Sequence, residues 1–219
     1  MNTVYLIFQL LAAGFAIFTV SSELYRNRKN LPFIWTIWKR FRFGIFLQAF
    51  VLVVIVLVVC VFLSKTVPFL HYGWLHLILE NGGNIITAPF LAASQSEYIG
   101  LRMITPIFLF CLLLAVPFLA EGEERIFRKG YHTWKNMIQR SVYFGLIHLV
   151  VGVPLSVAIT LIIPGLFFAH KYERAYKKLL PTMEKKEAVQ EAVLVSTTYH
   201  TMMNSILITY LIVLTTLCV

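Results

Sequence analysis

The sequence predicts an all-α polytopic membrane protein, on three observations. Mean hydropathy is +0.78. Hydrophobic residues fill 59% of the 219 positions and charged residues only 13%, about half the share a soluble domain carries. The apolar residues also fall in runs close to the roughly 20 that carry a helix across a 30 Å hydrocarbon core.

Four runs meet or approach that length: Val4–Val20, Phe43–Leu63, Met103–Ala120 and Leu194–Val219. No basic residue precedes the apolar core of the first, so it reads as a retained helix rather than a cleaved signal. A fifth run, Ser141–His170, is interrupted by Gly152-Val153-Pro154. Proline donates no helical hydrogen bond and clashes with the preceding turn, so two short helices are expected, 141–153 and 155–170. The expectation is about six membrane helices, the two short ones rising only ~20–24 Å each.

Charge orients them. Segments 21–42, 121–140 and 171–192 carry nearly all the lysine and arginine, whereas 64–101 holds Lys65 alone. Positively charged loops stay inside, which predicts these three segments on the cytoplasmic side and both termini outside. The net charge of +9 is dispersed between apolar runs, which argues against a nucleic-acid partner. Segment 64–101 mixes aromatics (Phe69, Tyr72, Trp74) with glycines, Pro89 and the polar run from Ser94 to Glu97, as an interfacial or re-entrant segment would. The chain contains no internal repeat and reads as one membrane domain.

Aspartate is absent, so an Asp dyad is excluded and every carboxylate side chain is one of ten glutamates. Cys60, Cys111 and Cys218 lie in apolar runs without CxxC spacing, which indicates neither a disulfide framework nor a thiolate metal site. Ionisable residues inside spans are expensive and mark function or tight pairing. Such residues are Glu121, Glu123 and Glu124 at the end of the third span, His148 in the middle of 141–153, and His200 with Asn204 in the last span. His170 ends a span and reads as interfacial. Residues four apart share a helix face. That spacing aligns Glu124 with Arg128, Phe144 with His148, and His200 with Asn204. Glu123 is turned about 100° from Glu124, so one can pair with Arg128 while the other faces a cavity.

Taken in order, Glu123-Glu-Arg-Ile-Phe-Arg128, Phe144-Gly-Leu-Ile-His148 and His200-Thr-Met-Met-Asn204 resemble the EExxxR, FxxxH and HxxxN motifs of the CPBP family, the Abi or type II CAAX prenyl endopeptidases. Gly165-Leu-Phe-Phe is similar to the glycine-bearing helix between that family's second and third motifs. The sequence departs at Lys129, where the family commonly has glycine, and at Arg125, usually apolar. The resemblance covers 103–219, which it marks as a catalytic core behind an N-terminal part, 1–102. It implies a glutamic intramembrane protease without a metal or other cofactor. Glu123 and His148 would activate a water, His200 and Asn204 would donate to the oxyanion, and Glu124, Arg128 and Phe144 would support them. The implied partners are the lipid bilayer and a membrane-associated or lipidated peptide or protein substrate.

One obstacle to this arrangement is depth. His148 lies ~12 Å deeper than the end of segment 121–140, while Glu123 ends its span. They meet only if the third helix continues inward or its end is submerged among its neighbours.

Rival chemistries lack their signatures: there is no HExxH, no GxSx and no aspartate pair. One glutamate and two histidines would suffice to ligate zinc. The alternative to an enzyme is a non-catalytic membrane protein of the same fold, acting in bacteriocin immunity or as a scaffold. A proton-relay transporter through Glu123, His148 and His200 is the third reading, and no inverted repeat favours it. His71, His76 and Glu80 make a loose trio more typical of an interface than of a second site.

Overall fold

A computed structural model describes residues 3–77, 87–95 and 99–217. Glu80, Glu97 and Cys218, named above, lie outside them. Within the described residues all regular elements are helices: α1 (Thr3–Arg26), α2 (Pro32–Lys39), α3 (Phe43–Thr66), α4 (Ala88–Ser94), α5 (Ile99–Phe127), α6 (Trp134–Ile147), α7 (Leu155–Thr160), α8 (Ile162–Leu179) and α9 (Lys185–Leu217). Among the described residues, five stretches are long and apolar enough to cross a membrane: Ile7–Arg26, Phe43–Thr66, Arg102–Phe127, Leu155–Leu179 and Lys185–Leu217. The protein is an all-α polytopic membrane protein.

The sixth expected span differs. The chain does break at Gly152, which adopts φ +87°, and Pro154 caps α7. Before it, helix α6 ends at Ile147 and residues His148–Val151 form a 3-10 turn. Helix α6 also starts upstream of the expected Ser141, where Thr133 caps it by accepting the Asn136 N–H at 3.3 Å. Its 14 residues rise only ~21 Å, too short to span alone. Its companion is not short: α7 and α8 follow one another across Leu161 and run on to Leu179. His170 therefore lies within α8 rather than at its end, on an exposed face. The last helix begins at Lys185, well before the expected Leu194. Most of the basic segments expected as loops are thus helix ends, because lysine, arginine and glutamate are good helix formers and continue an apolar helix without penalty.

The basic ends gather together. Arg40 forks onto Glu191 of α9 at 2.6 and 3.0 Å. Lys171 of α8 donates to Gln48 of α3 at 2.5 Å. His132, between α5 and α6, sits 2.9 Å from Glu173 of α8. At the opposite end the 68–77 segment docks on the turn after α6. Trp74 donates to the Leu149 carbonyl at 2.7 Å, Leu155 N–H to the Tyr72 carbonyl at 3.1 Å, and Ser64 to Ser156 at 2.8 Å. A Cβ on Gly73 would stand 2.8 Å from the Val153 carbonyl oxygen, so glycine is needed for this approach.

Helix α9 is central, packing on α5, α8 and α3. One apolar cluster joins Ala16, Val20 and Phe90 to Phe108, Leu109 and Ile208, and another joins Ala49, Leu52 and Val53 to Phe127, Phe144 and Phe168. Both clusters mix residues from before and after position 102. Helices α6 and α7–α8 approach closely: a Cβ on Gly145 would lie 2.5 Å from the Ala158 carbonyl oxygen, and one on Gly165 3.1 Å from Ser141. Small residues that let backbones meet are the usual means of helix association in lipid, where the hydrophobic effect gives no drive between helices.

Candidate active site

Four polar groups meet at a common cavity: one from α5, one from the turn after α6 and two from α9. The end of α5 is sunk below its neighbours, because Phe127, its last residue, packs edge-on against Phe144 well inside α6 at 5.5 Å. This brings Glu123 level with the end of α6. There His148 follows Ile147, and its Nδ1 lies 2.7 Å from the Phe144 carbonyl oxygen. Thus α5 continues past the expected Ala120, and its end is also submerged. Either feature alone shortens the depth mismatch; together they remove it. His148 itself is at a helix end, not in the middle of a helix as the sequence suggested.

The cavity, about 60 Å³, is lined by Glu123, His148, His200 and Asn204, with Phe144, Phe168 and Met203 among its walls. A single water needs roughly 10–15 Å³ by the same measure, so there is room for a water beside a small polar group. His200 Nε2 stands 3.8 Å from Glu123 Oε2, too long for a direct hydrogen bond. That carboxylate oxygen is buried and has no hydrogen-bond partner among the described residues. The Glu123 side chain as a whole is 38% exposed, against 5% for His200.

Behind the cavity lies a dry ionic core. Glu124 and Arg128 are fully buried, with Arg128 Nε 3.3 Å from Glu124 Oε2. Glu124 Oε1 accepts from His200 Nδ1 at 3.0 Å, and its other oxygen accepts from the Ser196 hydroxyl. The guanidinium lies 5.0 Å from the centre of the Phe144 ring, and Phe168 stacks on His200 at 4.6 Å. Phe144 meets both imidazoles edge-on, at 5.1 Å for His148 and 5.6 Å for His200. Glu124 is thus more than the helix-end lock expected of it: it orients the second histidine. Ser196 is a residue that sequence reading missed. It sits one turn before His200, and the four-residue spacing that links His200 to Asn204 points back to it equally well.

These bonds assign the imidazole nitrogens. With the Phe144 carbonyl and the Glu124 carboxylate as acceptors, both Nδ1 atoms carry protons, and a neutral ring keeps a lone pair on Nε2. His148 is therefore arranged as a proton acceptor. His200 can donate from Nε2 only as an imidazolium, and with that proton Glu123, Glu124, Arg128 and His200 sum to zero charge. Asn204 supplies amide N–H donors that need no such condition.

Among the described residues, no three His, Cys or Glu side chains are placed to share a metal ion. His71 and His76 have ring centres 5.5 Å apart, and His76 Nδ1 accepts the Gly73 N–H at 3.0 Å, which gives that ring a structural role. No protein-family model, no curated protein and no solved structure matches this chain.

Proposed function

We propose that this protein is an intramembrane glutamic endopeptidase of the CPBP type, hydrolysing a peptide bond of a membrane-associated or lipidated substrate. The observation that carries the reading is the shared cavity of Glu123, His148, His200 and Asn204, brought by three helices to one small polar space. Glu123 and His148 take the proton of a water as its oxygen attacks the peptide carbonyl. Asn204, and His200 when protonated, hold the oxyanion, and the proton passes to the leaving amine. General acid–base work of this kind contributes about 10²–10⁴-fold, and donors fixed in a dry site add a comparable factor. In the same reading the basic helix ends face the cytoplasm.

The test is cleavage of membrane-tethered peptides by the purified protein in proteoliposomes, followed by mass spectrometry. Wild type cuts and Glu123→Gln does not, although both stay folded; an equal product yield from both would overturn the proposal. Stoichiometric zinc in the purified protein, with activity lost to chelator and restored by zinc, would replace it by a metalloenzyme.

A further inference from the structure

A second feature lies outside the cavity, where α3, α8 and α9 meet at their basic ends. A cleft of about 200 Å³ there is lined by Arg40, Arg42, Ile45 and Tyr199. Below it, along the outer face of α3, runs an apolar trough of about 310 Å³ between Leu47, Val51, Ile55 and Phe167. Tyr199 and Phe167 join the two, packed edge-on at 5.5 Å. Lys171 stands at the junction, its ammonium 4.7 Å from the Tyr199 ring centre and 4.8 Å from that of Phe167.

The charge of this junction is not neutralised. Glu191 is taken up by both guanidinium arms of Arg40. Lys171 spends one N–H on Gln48 and keeps two, and neither it nor Arg42 forms an ion pair among the described residues. The trough descends from Leu47 to Ile55, ~12 Å at 1.5 Å per residue, which fits inside the ~15 Å of one leaflet's hydrocarbon. Cations at the headgroup level above an apolar channel match an amphiphile with an anionic head and a hydrocarbon tail. No carboxylate lines either the cleft or the trough to pair the ammonium of a zwitterionic head.

We infer that this groove is a specific site for one anionic glycerophospholipid. Arg42 and Lys171 hold the phosphate, and an acyl chain lies along α3 against Phe167.

The full-length protein in neutral detergent provides the test, by native mass spectrometry and thermal unfolding with added phosphatidylglycerol, phosphatidylcholine of the same chains, or inorganic phosphate. Phosphatidylglycerol is retained more strongly than phosphatidylcholine and raises the melting temperature further, while inorganic phosphate does neither. Retention falls on the order of five-fold for each cation removed, in Arg42→Gln and in Lys171→Met. Lys171→Arg restores it, and Arg28→Gln, on the turn after α1, leaves it unchanged. Val51→Trp, which fills the trough, lowers retention of the lipid with both cations intact. Equal retention of the two lipids, a preference that survives loss of both cations, or a shift reproduced by inorganic phosphate alone would overturn the assignment.

Discussion

Glu123 and Glu124 are neighbours in sequence with opposite fates, and the difference follows from one helical step. Glu124 is buried with Arg128, His200 and Ser196 around it, whereas Glu123 opens on the cavity. Removing one member of a buried ion pair strands the other charge, at a cost of about 3–5 kcal/mol. Glu124→Gln should therefore lower stability by that order in a denaturant or thermal melt, while Glu123→Gln, partly exposed, should stay within ~0.5 kcal/mol of wild type. In the peptidase reading activity responds to both, but only Glu123→Gln loses it without losing the fold. In the same reading Asn204→Ala removes an oxyanion donor, and kcat should fall about 10²–10³-fold with KM little changed. A rise in KM with kcat unchanged would place Asn204 in substrate binding.

At the scale of elements, the site depends on how close α6 comes to α7–α8. The Gly145 Cα faces the Ala158 carbonyl, and His148 follows within one turn. Gly145→Ala should push the two helices apart, costing about 1–3 kcal/mol of stability. In the peptidase reading the displaced His148 should reduce turnover as well. Gly14→Ala in α1 is the control, because nothing lies within 4 Å of the added methyl. Helix propensity then predicts a gain of up to ~1 kcal/mol. Comparing melting temperatures of the two variants checks both statements. The break at Gly152-Val153-Pro154 was legible because a glycine, free to turn left-handed, stands two residues before a proline that donates no helical hydrogen bond, whereas Pro106 and Pro117, with no such glycine, stay inside α5. The early start of α6 and α9 was not, because polarity at a helix end signals where lipid stops rather than where the hydrogen-bond ladder stops.

Across the whole molecule, the three basic segments are drawn to one end by Arg40–Glu191, Lys171–Gln48 and His132–Glu173. The 68–77 segment and the turn after α6 close the other. With charge bias setting orientation, a cysteine introduced by Lys129→Cys should react with a membrane-impermeant thiol reagent only from the cytoplasmic side, and one introduced by Thr66→Cys only from the outer side. The native Cys60 and Cys111, half-buried in helices, and Cys218 are removed in that experiment. Labelling of both positions from one face would mean an even number of crossings between them, against the single crossing by α5.

Composition and apolar run length were enough by themselves to establish helices in a membrane, since lipid admits only helices or closed barrels and runs of about 20 apolar residues fit a spanning helix rather than a strand. Four-residue spacing likewise sufficed to pair Glu124 with Arg128 and Phe144 with His148, because that geometry is internal to one helix. What only the tertiary structure decided was which groups meet across helices: that α5 sinks until Glu123 faces His200, that Glu124 reaches the far imidazole, and that Ser196 completes its shell. Those contacts depend on helix depth and rotation. Both are set by packing among α5, α6, α8 and α9, which no spacing within a single segment records.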